Sequence, residues 1–385
     1  MKIFLIAGEP SGDALGAALM EGLGTLAPGV TYAGVGGPLM AAQGLDSLFA
    51  MDELSIMGLA EVLPKYFQLK RRIAETAAAI AREAPDAVVT IDSPDFCLRV
   101  LGIARALNPR LKTIHYVAPS VWAWRPGRAV RMARVVDHVL ALLPFEPPYM
   151  QAAGMTCDFV GHPVTTRPVP GAAEAAAFRA AQGIAGDAPL VLALPGSRKG
   201  EIARLGPVFG DALARLELPG LRVIVPSVAA RAAQVRALVA GWPGAPIVLD
   251  AAQTPPEVKR AAFRAADVAL AASGTVSLEL AAAATPMVIA YRMHPLSQAL
   301  IARRLLVDTV TLVNLVSETR AVPEFLGPAC RAEPIARALA ALLDDGPARR
   351  AQQAAMRLTM ERLGRGGDAP GLRAARSVLG VVGSR

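Results

Sequence analysis

Two short segments of the chain carry what an anion site needs: LPGSRKGE at 194–201 and ASGTVSLE at 272–279. Each follows a short apolar run and opens a helical pattern. In the first, Gly196 lets the backbone turn and come close to a ligand, with Ser197 beside it. Arg198 adds a planar cationic fork, and the helix that follows offers free N–H groups. In the second, Ser273, Gly274 and Thr275 set hydroxyls and N–H groups at a helix start, where negative charge is stabilised. Glu279 lies one turn further on, placed to hold ribose hydroxyls as an acid does in dinucleotide sites. Either loop alone reads more simply as a helix cap, because Ser and Thr are common there without any ligand. Two such loops at successive strand ends of one half favour a phosphate site.

Acid–base candidates fall in the other half. TIDSPDFC at 90–97 puts Asp92 and Asp95 just past an apolar strand, where a carboxylate can take a proton from a hydroxyl. Asp92 also reads as a turn residue before Pro94. The opening AGEPSGD at 7–13 groups Glu9, Ser11 and Asp13, which either bind an acceptor or cap the next helix. The four histidines, His115, His138, His162 and His294, are dispersed with no metal-ligand pairing and read mostly as packing residues. With no D-x-D pattern, no metal is expected; Arg198 and the helix start would stabilise a leaving group instead. The Gly-rich stretch GVGGP at 34–38 lacks the third glycine of a dinucleotide fingerprint, and no G-x-x-x-x-G-K-[ST] occurs. No cofactor is expected.

The elements that must position these residues alternate. Strand-like runs cover 3–7, 31–35, 87–91, 113–117, 138–142 and 157–160, then 190–194, 222–225, 247–249, 268–271 and 287–291. Helix-length stretches separate them, which predicts parallel sheets covered on both faces. A chain of 385 residues with 53% hydrophobic content suits two such domains. The Pro/Thr cluster at 163–171 marks the boundary, giving 1–168 and 169–385, with the closing helices free to pack back on the first domain. The fold class expected is therefore α/β, two Rossmann-like domains facing across a cleft, with ligands at strand C-terminal ends.

Three widely spaced cysteines form no disulfide framework, and the N-terminal apolar run ends in acids, unlike a signal peptide. No uninterrupted apolar span reaches membrane length, so a cytoplasmic protein is expected. A net charge of +8 favours anionic partners, but 5% aromatic residues and no zinc-finger or RNP-like motif argue against nucleic acid. Residues 57–72, MGLAEVLPKYFQLKRR, form an amphipathic stretch. Leu63, Tyr66, Phe67 and Leu69 lie beside Lys70, Arg71 and Arg72, either an ordinary surface helix or one that dips into an anionic bilayer.

The ordered motifs AGEPSGD, SIMGLAEVLP, IDSPDF, HYVAPSVWAWRPGR, LPFEP, FVGHPV, LPGSR, ASGTVSLE, PMVIAYRM, LVNL and PEFL resemble those of the lipid-A-disaccharide synthases, over nearly the whole chain. The resemblance implies a GT-B-type fold and an inverting, metal-free transfer. A 2,3-diacylglucosamine would pass from UDP to 2,3-diacylglucosamine 1-phosphate, giving a β-1,6 disaccharide. It implies Asp95 as general base, Arg198 and Asn314 by the donor diphosphate, and Ser273, Gly274, Thr275 and Glu279 at the nucleotide. It gives the 57–72 segment a purpose at the cytoplasmic face of the inner membrane, as a peripheral contact, and leaves a homodimer open. The chain departs from the family pattern at Ala118, near Gly127 and at Gly327. Alternatives are a UDP-N-acetylglucosamine 2-epimerase, another UDP-sugar transferase, or a nucleotide-sugar-binding regulator.

Overall fold

The computed structural model describes residues 1–54, 59–293 and 305–383, with backbone alone over 59–65. The side chain of Leu63 and all of His294 lie outside the described residues. Two compact units emerge, Met1–Thr166 together with the stretch from Gly366, and Arg167–Arg365.

The first unit is built on six strands: β1 (Lys2–Ala7), β2 (Thr31–Val35), β3 (Ala87–Ile91), β4 (Thr113–Tyr116), β5 (His138–Ala141) and β6 (Thr156–Phe159). All pair in parallel, in the order β2-β1-β3-β4-β5-β6. A parallel sheet covered on both faces needs apolar side chains in both directions, and β1 and β3 supply them: Ile3 to Ala7 and Ala87 to Val89 are fully buried. One face packs against Phe96, Val100 and Leu101, the other against Leu15, Leu19 and Leu23.

The last helix, Pro370–Gly383, belongs to this unit and lies against the first helix, Pro10–Leu26. Two glycines permit the close approach. A Cβ on Gly371 would stand 2.3 Å from the Ala18 carbonyl oxygen, and one on Gly22 would stand 2.7 Å from the Gly371 oxygen. His138 fastens the same helix, its ring nitrogens 2.7 Å from Thr156 Oγ1 and 2.8 Å from Ser377 Oγ. Lys112 Nζ donates to the terminal carbonyls of Val381 and Val382, the favoured place for a cation on a helix.

The second unit carries β7 (Leu190–Leu194), β8 (Arg222–Ser227), β9 (Ile247–Asp250), β10 (Val268–Ala271), β11 (Met287–Tyr291) and β12 (Glu324–Leu326). Again all are parallel, ordered β12-β11-β10-β7-β8-β9. β12 escaped the sequence reading: three half-buried residues give no periodicity to read. Its Glu324 holds the 310–311 turn, accepting from the backbone N–H groups of Val310 and Thr311.

The strand order fixes where ligands can sit. In the first sheet the order reverses between β1 and β3, in the second between β7 and β10. At such a reversal the loops diverge to opposite faces and leave a crevice at the strand C-termini. The loops flanking the two reversals are AGEPSGD with DSPDF, and LPGSRKGE with ASGTVSLE.

Candidate active site

In the second unit a cavity of about 580 Å³ opens at the β7/β10 reversal, lined by Gly196, Ser197, Arg198, Ser273, Gly274 and Thr275. Gly196 has a φ of +109°, and a Cβ there would lie 2.8 Å from Glu201 Oε2. Only glycine meets both demands. Buried Glu201 sets the loop: it accepts from the Arg198 backbone N–H, from the Arg198 guanidinium at 2.9 Å and from the Tyr291 hydroxyl at 3.1 Å. Burial, and then the Glu201 charge, push the Tyr291 phenol upward, so it remains a donor. Arg198 is thus aimed by a carboxylate yet leaves most of its guanidinium in solvent, free for a ligand. At the start of the following helix, Lys199–Ala214, the only side-chain cap among the described residues is that Glu201 carboxylate on the Arg198 N–H. At the second loop the Ser273 and Thr275 hydroxyls form no cap hydrogen bond; Ser277 Oγ donates to the Gly274 carbonyl instead. Among the described residues neither hydroxyl has a hydrogen-bond partner.

Glu279 reaches this cavity through a partner. Its carboxylate pairs with Lys259 Nζ at 2.9 Å and with Arg167 at 2.8 Å. Burial opposes its ionisation, but Lys259 and then Arg167 outweigh burial and hold the carboxyl below its usual range. Lys259 lines the cavity with Arg198, giving it two cations. Pro226, Val228, Leu249 and Ala251 also line the cavity and give it an apolar surface.

In the first unit a smaller cavity of about 330 Å³ is lined by Asp92, Pro94, His115, Ser120, Trp124 and Arg128, among others. The backbone around it is strained. Asp92, Ser93 and Val117 have φ values of +53°, +44° and +83°. A β-branched residue at positive φ is a steric outlier, and such strain gathers at functional sites. Backbone hydrogen bonds hold it in place: Asp92 N–H donates to the Tyr116 carbonyl and Val117 N–H to that of Leu140. Gly8 makes room on the other side, since a Cβ there would lie 2.5 Å from Ser93 Oγ. Asp95 follows in the first turn of the helix Pro94–Leu107, exposed. His115 is buried, its Nδ1 2.7 Å from Thr90 Oγ1, and burial pulls it down to about 4.

Comparison with known proteins settles the family. A model of the family described as "Lipid-A-disaccharide synthetase" matches residues 3–368. The chain is 63% identical to the lipid-A-disaccharide synthase of Ruegeria pomeroyi, covering 98% of this chain and 95% of that one. It is 48% identical to that of Rhodospirillum centenum, over 100% and 96%. The chain belongs to the lipid-A-disaccharide synthase family. It is a glycosyltransferase of lipid A biosynthesis.

Solved structures show how far the fold extends beyond the family. The UDP-GlcNAc 2-epimerase of Neisseria meningitidis bound to UDP-GlcNAc superimposes with a TM-score of 0.65 at 11% identity, covering 99% of both chains. MurG of Acinetobacter baumannii gives 0.52 at 15%, over 97% and 94%. The expected fold class, two Rossmann-like units of the GT-B type, is the one observed.

The remaining candidates stand as follows. Asp13 is buried and accepts from the backbone N–H groups of Gly37, Leu39 and Met40. It caps the short helix Pro38–Ala42, not its own. Glu9 stands at the N-cap position of the first helix, and Ser11 is exposed in its first turn. Asn314 is buried with its amide used internally: Nδ2 donates to Thr309 Oγ1 and the Val322 carbonyl, and Oδ1 accepts from Val322 N–H. It shapes the 309–322 turn. Along the helix Leu59–Glu83, Tyr66, Phe67, Lys70 and Arg71 are exposed. Leu69 instead packs against the core, and Arg72 turns inward to Glu53 and Glu75 and stacks 4.3 Å over Phe49. Gly327, a departure from the family pattern, has a φ of +57°, which a longer side chain would strain. Lys259 and Arg128 were not singled out by the sequence reading. Lys259 sits in an ordinary amphipathic helix, and only the fold shows that it faces the cavity.

The Trp-bearing segment of this family member is anchored by a buried acid. Glu146 accepts from Leu143 N–H at 3.0 Å and Trp122 Nε1–H at 3.4 Å, while Trp122 meets Phe145 edge-on at 5.2 Å. Burial pushes its carboxyl from the usual 4.5 up to about 7. A raised acid stabilises the fold when protonated, so its contribution is complete below pH 4.5 and is lost as pH rises through 7. Glu146→Gln removes that loss. The stability difference, variant minus wild type, is expected to grow by about 3 kcal/mol between about pH 4.5 and 8. Urea unfolding of both proteins at the two pH values measures it; a constant difference refutes the assignment.

Proposed function

We propose that the chain transfers 2,3-diacylglucosamine from UDP to the 6-hydroxyl of 2,3-diacylglucosamine 1-phosphate, with inversion, releasing UDP and the β-1,6 disaccharide 1-phosphate. The second unit takes the UDP-sugar and the first takes the acceptor. The observation that carries this reading is the cavity at the β7/β10 reversal, with two cations, Arg198 and Lys259, beside uncapped hydroxyls and an apolar wall. A nucleoside diphosphate has the matching parts: two phosphates for the cations and a flat base for the wall. The Neisseria epimerase, which shares the fold, is bound to UDP-GlcNAc, and that supports a UDP-sugar here.

Catalysis then needs a base and a stabilised leaving group. Asp95, free of structural hydrogen bonds among the described residues, takes the proton from the acceptor hydroxyl as that oxygen attacks the anomeric carbon. The anomeric C–O bond breaks, and its electrons pass to the β-phosphate of UDP. Arg198 and the start of the helix Lys199–Ala214 stabilise the charge that grows there. Incubation of the protein with UDP-2,3-diacylglucosamine and the acylated 1-phosphate tests the reading. Disaccharide plus UDP is expected; a 2-epimerised sugar, or binding without turnover, would overturn it.

Both substrates carry acyl chains, so we place the protein at the cytoplasmic face of the inner membrane as a peripheral contact. Among the described residues no helix is long and apolar enough to cross a membrane. Phe67 is 81% exposed beside Tyr66, with Lys70 and Arg71 on the same helix. An aromatic side chain that enters the bilayer contributes about 1.5–3 kcal/mol, so Phe67→Glu should weaken binding to phosphatidylglycerol-containing vesicles tenfold or more. Flotation assays measure it, and unchanged binding would remove Phe67 from the contact.

A further inference from the structure

The smaller cavity in the first unit has a charge arrangement the transfer chemistry does not use. Arg128 lines it half-buried, and among the described residues no carboxylate or carbonyl accepts a hydrogen bond from its guanidinium. Other half-buried arginines here pair with a carboxylate, as Arg72, Arg105 and Arg179 do. The neighbouring Arg125 has one too, stacked 4.1 Å over Trp124. His115 also lines the cavity, but burial keeps its ring neutral near pH 7, leaving Arg128 the only full positive charge among the described lining residues. At another point of the wall stands Asp92, whose Oδ1 accepts from Ser93 N–H at 2.9 Å. That bond and the strained backbone fix the carboxylate and leave its other oxygen available.

A ligand for this cavity must therefore present an anion to Arg128 and hydroxyl donors to Asp92 within about 330 Å³. A sugar phosphate meets both conditions: guanidinium and phosphate pair in a two-pronged geometry, and a carboxylate accepts from sugar hydroxyls. A plain anion would be repelled by Asp92, and a neutral sugar would leave the cation unmatched. Resting on the transferase reading above, we propose that this cavity seats the glucosamine 1-phosphate head of the acceptor, with Arg128 as the phosphate contact and Asp92 on the sugar.

Placement beside Pro94 puts the acceptor next to the start of the helix Pro94–Leu107, which carries Asp95 in its first turn. The role is one of specificity: Arg128 selects phosphorylated over unphosphorylated acceptors, and it has no part in proton transfer.

The test uses the full chain and two acceptors, 2,3-diacylglucosamine 1-phosphate and the same sugar without phosphate. For wild type, kcat/KM should favour the phosphorylated acceptor. Arg128→Ala should raise the KM for that acceptor and shrink the preference tenfold or more, the measure of one lost charged hydrogen bond. The donor KM and UDP affinity should stay as they were. Arg128→Lys should recover part of the preference, because charge returns without the fork. Arg128→Gln, with thermal melts on all variants, guards against a folding defect. An unchanged preference in both Arg128→Ala and Arg128→Gln would overturn the proposal, as would a rise in donor KM in place of acceptor KM. If wild type itself makes no disaccharide, the transferase reading fails instead.

Discussion

Asp95→Asn should lower kcat by about 10²–10⁴-fold, the usual worth of a positioned general base, while UDP binding and thermal stability stay near wild type. The size of the effect follows from what Asp95 does not do. It is exposed and makes no side-chain hydrogen bond among the described residues, so replacing one carboxylate oxygen by an amide removes no structural contact. Pro94 starts the helix with its fixed φ, and the backbone N–H groups of Phe96 and Cys97 already bond to the Ser93 carbonyl. The turn keeps its shape in the variant. What is lost is basicity at one point in space. On the reading proposed above, UDP binds in the other unit, whose cavity shares no residue with the Asp95 helix. Steady-state rates with both substrates, beside calorimetric titration with UDP, separate the two quantities. A kcat within a few-fold of wild type would take Asp95 out of the proton-transfer role, and lost UDP affinity would show damage beyond it.

How much of this is readable from the residues alone depends on which physical signal each feature carries. Every strand but β12 is read from the sequence, and the central ones most plainly, because a parallel strand buried on both faces is continuously apolar, as 190–194 and 268–271 are. β12 has three half-buried residues and borrows its place from pairing with β11, a tertiary fact. The loops at 194–201 and 272–279 are legible as strand–helix junctions of one half, and the fold brings both to one cavity. Lys259 is not, since a lysine in an amphipathic helix is an ordinary surface residue; the packing of 256–265 beside the sheet alone gives it meaning. The strain at Val117 could not be foreseen, because nothing in a valine predicts φ of +83°. Asp13 and Asn314 show the opposite case. Both stand out in the sequence as polar residues with a duty, yet each spends its bonds on backbone groups far along the chain or across a turn. Residue type announces that a buried polar group must be satisfied; only the fold says by what.

The arginine at the 194–201 loop carries the other large effect. Arg198→Ala should weaken UDP binding about tenfold to a hundredfold, the equivalent of one charged hydrogen bond or slightly more, and lower kcat as well. Two losses are expected because the charge it faces changes during the reaction. In the ground state the diphosphate is already anionic, so part of the interaction is plain binding and appears in KM. As the anomeric bond breaks, the β-phosphate gains further charge, and that increment appears only in kcat. Folding should be little disturbed: Glu201 loses the guanidinium but keeps the Arg198 backbone N–H and the Tyr291 hydroxyl. Arg198→Lys should fall between, since an ammonium keeps the charge but lacks the planar fork that matches two phosphate oxygens. Calorimetric titration with UDP and initial rates at saturating donor read the two terms apart. If affinity is unchanged and only kcat falls, the ground-state diphosphate leans on Lys259 instead, and Arg198 meets the phosphate only as the bond breaks. If neither moves, the diphosphate does not lie at this loop.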